Sequence, residues 1–226
     1  MCNIPNTKAV LTGDIIESSK LTPASHAALY AAFADASRLL RQHYPAEVSY
    51  NISNFRGDGW QIVCNRPEKS LEIGIFMRSY LRFTFKAEKL DSRFAIGIGF
   101  VNFIPAENVS AGDGEAYTLS GHLLDTLGSE RMAVSLPERG APLIQVSLDG
   151  ILSLLDFIVS AWSPSQAQAV FLGLQGHKQE EIARRWVLSP ITQASVSATL
   201  KIAGWTQLRK SLTAFENLVA SASPPA

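Results

Sequence analysis

The sequence predicts an α+β fold followed by an all-helical tail. Three observations predict it. As far as about residue 136, short apolar, β-prone runs alternate with helix-length stretches spaced at about 3.6 residues. A break at 137–142 (PERGAP) ends that alternation. Beyond the break every apolar pattern is helical. We therefore expect an α/β domain over 1–140, a linker helix over 141–162 and a helical domain over 163–226.

Residues 8–15 (KAVLTGDI) are apolar and β-prone and end near an acidic residue, as a short buried strand does. Over 23–43, Leu29, Ala32, Phe33, Ala36, Leu39 and Leu40 recur at helical spacing, and Pro23 suits a first turn. Two strand-like runs, Val48 to Phe55 and Gly59 to Cys64, flank Arg56-Gly57-Asp58, the pattern of a β-hairpin. Helical spacing returns over 68–88 through Leu71, Ile75, Leu81 and Phe85. Residues 93–103 (RFAIGIGFVNF) read as a fourth strand whose glycines admit a backbone or a ligand at close range. A loop at Ala111 to Gly114 precedes a helix over 115–127, and 132–136 is a fifth strand. The order β-α-β-β-α-β is that of a split βαβ, ferredoxin-like sheet with its helices on one face. Residues 145–161 form an apolar helix that connects the two parts or offers a dimer contact.

Composition narrows the class. An apolar content of 46% with 18% charged residues belongs to a folded globular chain. Cys2 and Cys64 are the only cysteines, which excludes a disulfide framework and points to a reducing compartment. The start, MCNIPNTKAVLTGD, lacks the basic-then-apolar pattern of a signal peptide. No run reaches the roughly 20 apolar residues of a membrane span. The expectation is a cytoplasmic protein without a membrane partner. Net charge is zero, yet from Ser163 onward six basic residues face three acidic ones, leaving +3 there and −3 before it. A basic tail suits DNA, although small solvated helices are often mildly basic too.

Asp14 ends the first strand and Asp58 sits in the hairpin turn. In a ferredoxin-like sheet the first strand is central and lies beside that hairpin, so the two carboxylates approach each other at one end of the sheet. Two carboxylates are hard oxygen ligands for a divalent ion on a triphosphate, Mg²⁺ or Mn²⁺. The backbone at Ile15, Ile16 and Glu17 then lies where phosphates sit. The alternative is structural: Asp14 caps the next turn and Asp58 serves the hairpin.

Four segments, in order, resemble the class III nucleotidyl cyclases, whose core is palm-like. LTGDIIESSKL resembles their first strand and FRGDGWQIV their hairpin. AIGIGFV resembles the strand after the second helix, and GEAYTLSGHLLD the turn and helix that follow. Together they span about residues 8–127. The same segments are similar to the SatD family, small bacterial proteins with this core that often carry a C-terminal helix-turn-helix. The resemblance implies that Asp14 and Asp58 hold the metal, that the Ile15 carbonyl assists, and that a nucleoside triphosphate or related nucleotide binds to a homodimer sharing its site. It also exposes departures. Where active cyclases place an Asn and an Arg for the transition state, this chain has Thr118 and His122. His is charged only in part near neutral pH, whereas Arg always is. Asn51 to Phe55 contains no base-reading Lys. Arg56 and Gly57 adjoin Asp58 and can serve phosphate; Arg56 equally suits a solvated turn. Nucleotide binding without efficient cyclisation is the simplest expectation, and an active cyclase or phosphoryl-transferase is the alternative. Trp60 either stacks on a base or packs in the sheet.

In the tail, residues 164–175, 179–186, 192–202 and 205–219 each carry a helical apolar stripe. The phrase GHKQEEIA…SVSATL resembles the helix-turn-helix of sigma factor region 4. That resemblance turns Thr192, Gln193, Ser195, Ser197 and Thr199 toward a major groove and gives Lys201, Arg209 and Lys210 to phosphates. The turn at 187–191 is roughly three residues longer than the usual pattern of that motif. The competing expectation is a helical bundle for protein contacts.

Overall fold

A computed structural model describes residues 7–55, 57–137, 142–188 and 190–222 of the 226. Its fold is mixed α+β. The strands β1 (Thr7–Ile15), β2 (Ser53–Phe55), β3 (Gly59–Cys64), β4 (Ser92–Phe100) and β5 (Met132–Ser135) form one five-stranded sheet in the order β2-β3-β1-β4-β5. β1 runs antiparallel to both its neighbours, β2 runs antiparallel to β3, and β5 joins parallel to β4. Centrality explains why β1 is apolar on both faces.

Alternation along β1 divides the interior. Ala9, Leu11 and Ile15 enter a large core with α1 (Pro23–His43) and α2 (Ser70–Thr84), whereas Val10 enters a smaller one with Val63 and Ala116. That second face is covered by α3 (Glu115–Thr126). The β4 glycines make room for it: a Cβ at Gly97 would fall 2.2 Å from the Ala116 carbonyl oxygen. Of the two visitors the glycines admit, Gly97 therefore receives a helix backbone.

The second strand is shorter than its sequence run. The Val48 amide returns to the Tyr44 carbonyl and the Ile52 amide to the Ser37 hydroxyl, so these two amides are spent on α1 and the residue that caps it. Only Ser53–Phe55 remains to pair with β3. Trp60 is wholly buried and donates from Nε1 to Ser92 Oγ at 2.9 Å, which places it in the core and away from any base.

The remaining helices are α4 (Pro142–Ser160), α5 (Pro164–Leu174), α6 (Gln179–Arg184), α7 (Gln193–Ile202) and α8 (Trp205–Ala222). They share the large core with the sheet. From α5, Phe171 stands within 4.6–5.4 Å of the Phe76, Tyr80 and Phe83 rings, all on α2. α4 begins earlier than its apolar run suggests, because Pro142 fits a first turn. With Pro142-Leu143-Ile144 included, its 19 residues carry only Asp149 and Asp156 as charges. By length and composition it is apolar enough to cross a membrane, which corrects the expectation that no such run exists.

A buried ionic cluster joins α2, α4 and the sheet. Arg78, fully buried, donates to both oxygens of Asp91 at 2.9 Å and to Asp156 at 2.8 Å. Arg82 and Arg131 also reach Asp91. Burial would raise the Asp91 pKa, but Arg78 and Arg82 outweigh it and hold the carboxyl below the usual range.

Candidate functional site

Asp14 and Asp58 meet at one end of the sheet. Gly13 pairs with Trp60 in the β1–β3 register, so the β2–β3 turn carrying Asp58 lies where β1 ends. Both carboxylates line a cavity of about 520 Å³, with Thr12, Gly13, Phe55, Gln61, Gly121 and Asp125 among its walls. Both also line a neighbouring cavity of about 380 Å³, where Ile15, Ile16, Glu17, Arg93 and Arg131 join them. The expected phosphate loop therefore faces the two carboxylates. Gly57 lies in the turn at φ +91°, a left-handed conformation that glycine adopts without strain. Arg56 lies outside the described residues.

Local structure sets each carboxylate. Glu17 adopts φ 57°, turning the chain into a 3-10 turn, Ser18–Lys20. From that turn the Ser18 hydroxyl donates to Asp58. Asp14 is held differently. The β1–β4 register sets it opposite Arg93, whose Nε and Nη2 each donate to one of its oxygens at 2.8 Å. This is the bidentate fork that arginine and carboxylate favour. The Asp14 hydrogen bonds, with further help from the Asp14, Asp125 and Asp58 charges, raise the Arg93 pKa above its ordinary value.

Two hard carboxylates on one cavity are a donor set that Mg²⁺ or Mn²⁺ accepts when phosphate and water complete the shell. They are not a self-sufficient cage: among the described residues no group of three or more His, Cys, Asp and Glu side chains is placed to hold an ion. Both oxygens of Asp14 already serve Arg93, so a cation there competes with a guanidinium. The Arg93 side chain is one-third exposed and has room to release Asp14.

Thr118 and His122 lie elsewhere. Both are exposed on α3, and Thr118 Oγ1 returns to the Gly114 carbonyl. The α3 residues on the larger cavity's wall are Gly121, Leu124 and Asp125. Sequence reasoning missed Asp125 and Arg93. Asp125 lies one helical turn beyond Gly121, and Arg93 is the only charge in β4, but neither signal names a partner until the register is known.

In the helical region, Thr192 caps α7 by accepting the Ser195 amide at 3.2 Å. Thr192, Gln193, Ser195, Ser197 and Lys201 are all exposed. Residues of α5 to α8, Gly173, Gln193, Leu200 and Trp205 among them, line an open cavity of about 510 Å³ together with His177. It gathers no carboxylate pair, so the candidate site is placed at the sheet.

No family model matches the chain, and no curated protein matches it. Solved structures that it resembles include a bacterial light-regulated adenylyl cyclase (15% identity, TM-score 0.42, over 57% of this chain and 43% of that one). They also include the guanylyl cyclase Cya2 (17% identity, TM-score 0.41, over 57% of this chain and 74% of that one). The chain thus spans less than half the length of the light-regulated cyclase.

Proposed function

We propose that this is a nucleotide- and metal-binding regulatory protein that binds DNA through its C-terminal helices and does not cyclise nucleotide efficiently. One observation carries the nucleotide reading: Asp14 and Asp58 line the same two cavities, one of them walled by Ile15, Ile16 and Glu17. In this reading the two carboxylates hold Mg²⁺ or Mn²⁺, the ion offsets phosphate charge, and Arg93, once released, turns to phosphate with Gly57 and Arg56. The strand order supports reading the core as ferredoxin-like and cyclase-like, as the SatD resemblance implies. We keep the division at 1–140, 141–162 and 163–226, a homodimer and a cytoplasmic location as parts of the proposal. Thr118 and His122 sit off the cavity wall, which supports binding without efficient turnover. For DNA, the support is the exposed polar face of α7, with Thr192, Gln193, Ser195 and Ser197 for base edges and Lys201 for phosphate.

The experiment is titration of ATP and GTP with Mn²⁺ by calorimetry. Binding is expected for one of them, with a loss of about 10-fold or more on Asp14→Asn or Asp58→Asn. No heat and no thermal shift with either nucleotide would sink the reading. Asp125 on the same wall favours a second reading, a cyclase or related phosphoryl-transferase using two-metal chemistry. Pyrophosphate release abolished by Asp14→Ala would establish it.

A further inference from the structure

The outward face of α4 is apolar and largely uncovered by the described residues. Leu143, Val146, Leu154 and Phe157 are 77%, 66%, 71% and 80% exposed. They are four of the nine large hydrophobic side chains exposed among the described residues. The opposite face is packed: Leu148, Leu152, Leu155 and Val159 are buried, and Asp156 is tied to Arg78. Solvent exposure of such a stripe marks an interaction surface.

The stripe is symmetric about Gly150. Leu143 and Phe157 lie seven residues on either side of it, Val146 and Leu154 four, Ser147 and Ser153 three. At about 100° per residue, the four apolar side chains fall within roughly 40° of the Gly150 direction. No charge falls on that strip, since Asp149 is about 100° away. A two-fold contact requires that residue i meet j while j meets i. Two antiparallel copies of α4 crossing at Gly150 meet this condition: Leu143 faces Phe157, Val146 faces Leu154, and each pairing occurs twice.

Gly150 itself needs a partner to make sense. Glycine inside a helix costs about 1 kcal/mol relative to alanine. A Cβ at Gly150 would touch nothing within 4 Å among the described residues, so no contact with them demands its absence. At the crossing point of two helices, its absence lets the backbones approach. The Ser147 hydroxyl already donates to the Leu143 carbonyl at 2.7 Å, so that donor enters the contact satisfied.

We infer that α4 is a self-association surface, on which a second copy of this chain docks antiparallel about a two-fold axis at Gly150. None of the α4 residues lines either cavity with Asp14 and Asp58, so this contact shares no residue with the proposed nucleotide site. A lipid surface is the rival occupant. The helix carries no Lys or Arg to meet anionic headgroups, and its other face is held in the protein core.

Sedimentation velocity over about 1 µM to 1 mM tests this. The wild-type chain is expected to reach twice its 24.6 kDa mass. Phe157→Glu and Leu143→Lys, both at exposed positions and checked for folding by circular dichroism, should each weaken the dimer by about 30-fold or more. Mixed one to one, the two variants should dimerise again. The lysine introduced by Leu143→Lys in one copy then meets the glutamate introduced by Phe157→Glu in the other, while the second pair stays apolar. A parallel contact gives no such rescue. A wild-type monomer throughout, dimers unaffected by either substitution, or failure of the mixture to recover would each overturn the inference. So would a monomer that co-sediments with phosphatidylcholine vesicles, which would give the stripe to lipid.

Discussion

Gly97 lets α3 lie on the sheet, because there is no side chain between β4 and the Ala116 carbonyl. Replacing it with valine drives a Cβ into backbone, which has little freedom to yield. Gly97→Val is expected to lower stability by about 3 kcal/mol or to prevent folding, read as the urea midpoint. Residues differ in how much their own neighbourhood reveals. Asp14 and Asp58 could be picked out in the sequence as candidates because each sits beside a glycine, at a strand end and in a hairpin turn that a central first strand brings together. Arg93 was not, because its meaning depends on a register that no local pattern encodes. Thr118 and His122 were placed by resemblance along the helix, whereas the α3 residues that line the cavity are Gly121, Leu124 and Asp125.

The elements with long apolar stripes were read nearly to the residue. α1 is the clearest, with Pro23 opening it and Thr22 capping it through the Ser25 amide. β2 was not, since Val48 and Ile52 suit a strand by side chain but spend their amides on α1. Alternation reports which side chains are apolar and says nothing of where an amide finds its acceptor. Contact between distant elements was the least legible of all. Phe171 reads as one position of an amphipathic helix, yet three aromatic rings from the α2 region converge on it. Phe171→Ala is expected to cost about 3–5 kcal/mol and to loosen α5 from α2. The check is a lower denaturation midpoint with reduced near-ultraviolet circular dichroism.

Across the whole molecule, the end of α1 meets the C-terminal helices at a pair of histidines. His43, at the end of α1, lies 6.3 Å from the His177 ring beyond α5. Burial, the neighbouring His177 and Arg185 all lower its pKa. The ordinary value is about 6.5, so as pH falls the unfolded chain takes up this proton before the folded one. The contribution of His43 is therefore complete above about pH 6.5 and is lost as pH falls through the folded value. His43→Asn should flatten the fall of melting temperature on acidification, measured in paired thermal scans between about pH 7.5 and 5. An identical slope in both proteins would discard the assignment.

Arg131 belongs to two places at once. Its amide donates to Asp156 of α4 at 2.8 Å, its guanidinium reaches Asp91 at 2.6 Å, and its side chain forms part of the wall facing Asp14 and Asp58. A ligand that drew Arg131 toward the cavity would thus pull on the helix whose far face carries the apolar stripe. Free energy passed along such a bridge is reciprocal. Whatever factor occupancy of the cavity applied to pairing of the helices, pairing would return to occupancy, so concentration of the protein itself would act as an effector of its own site.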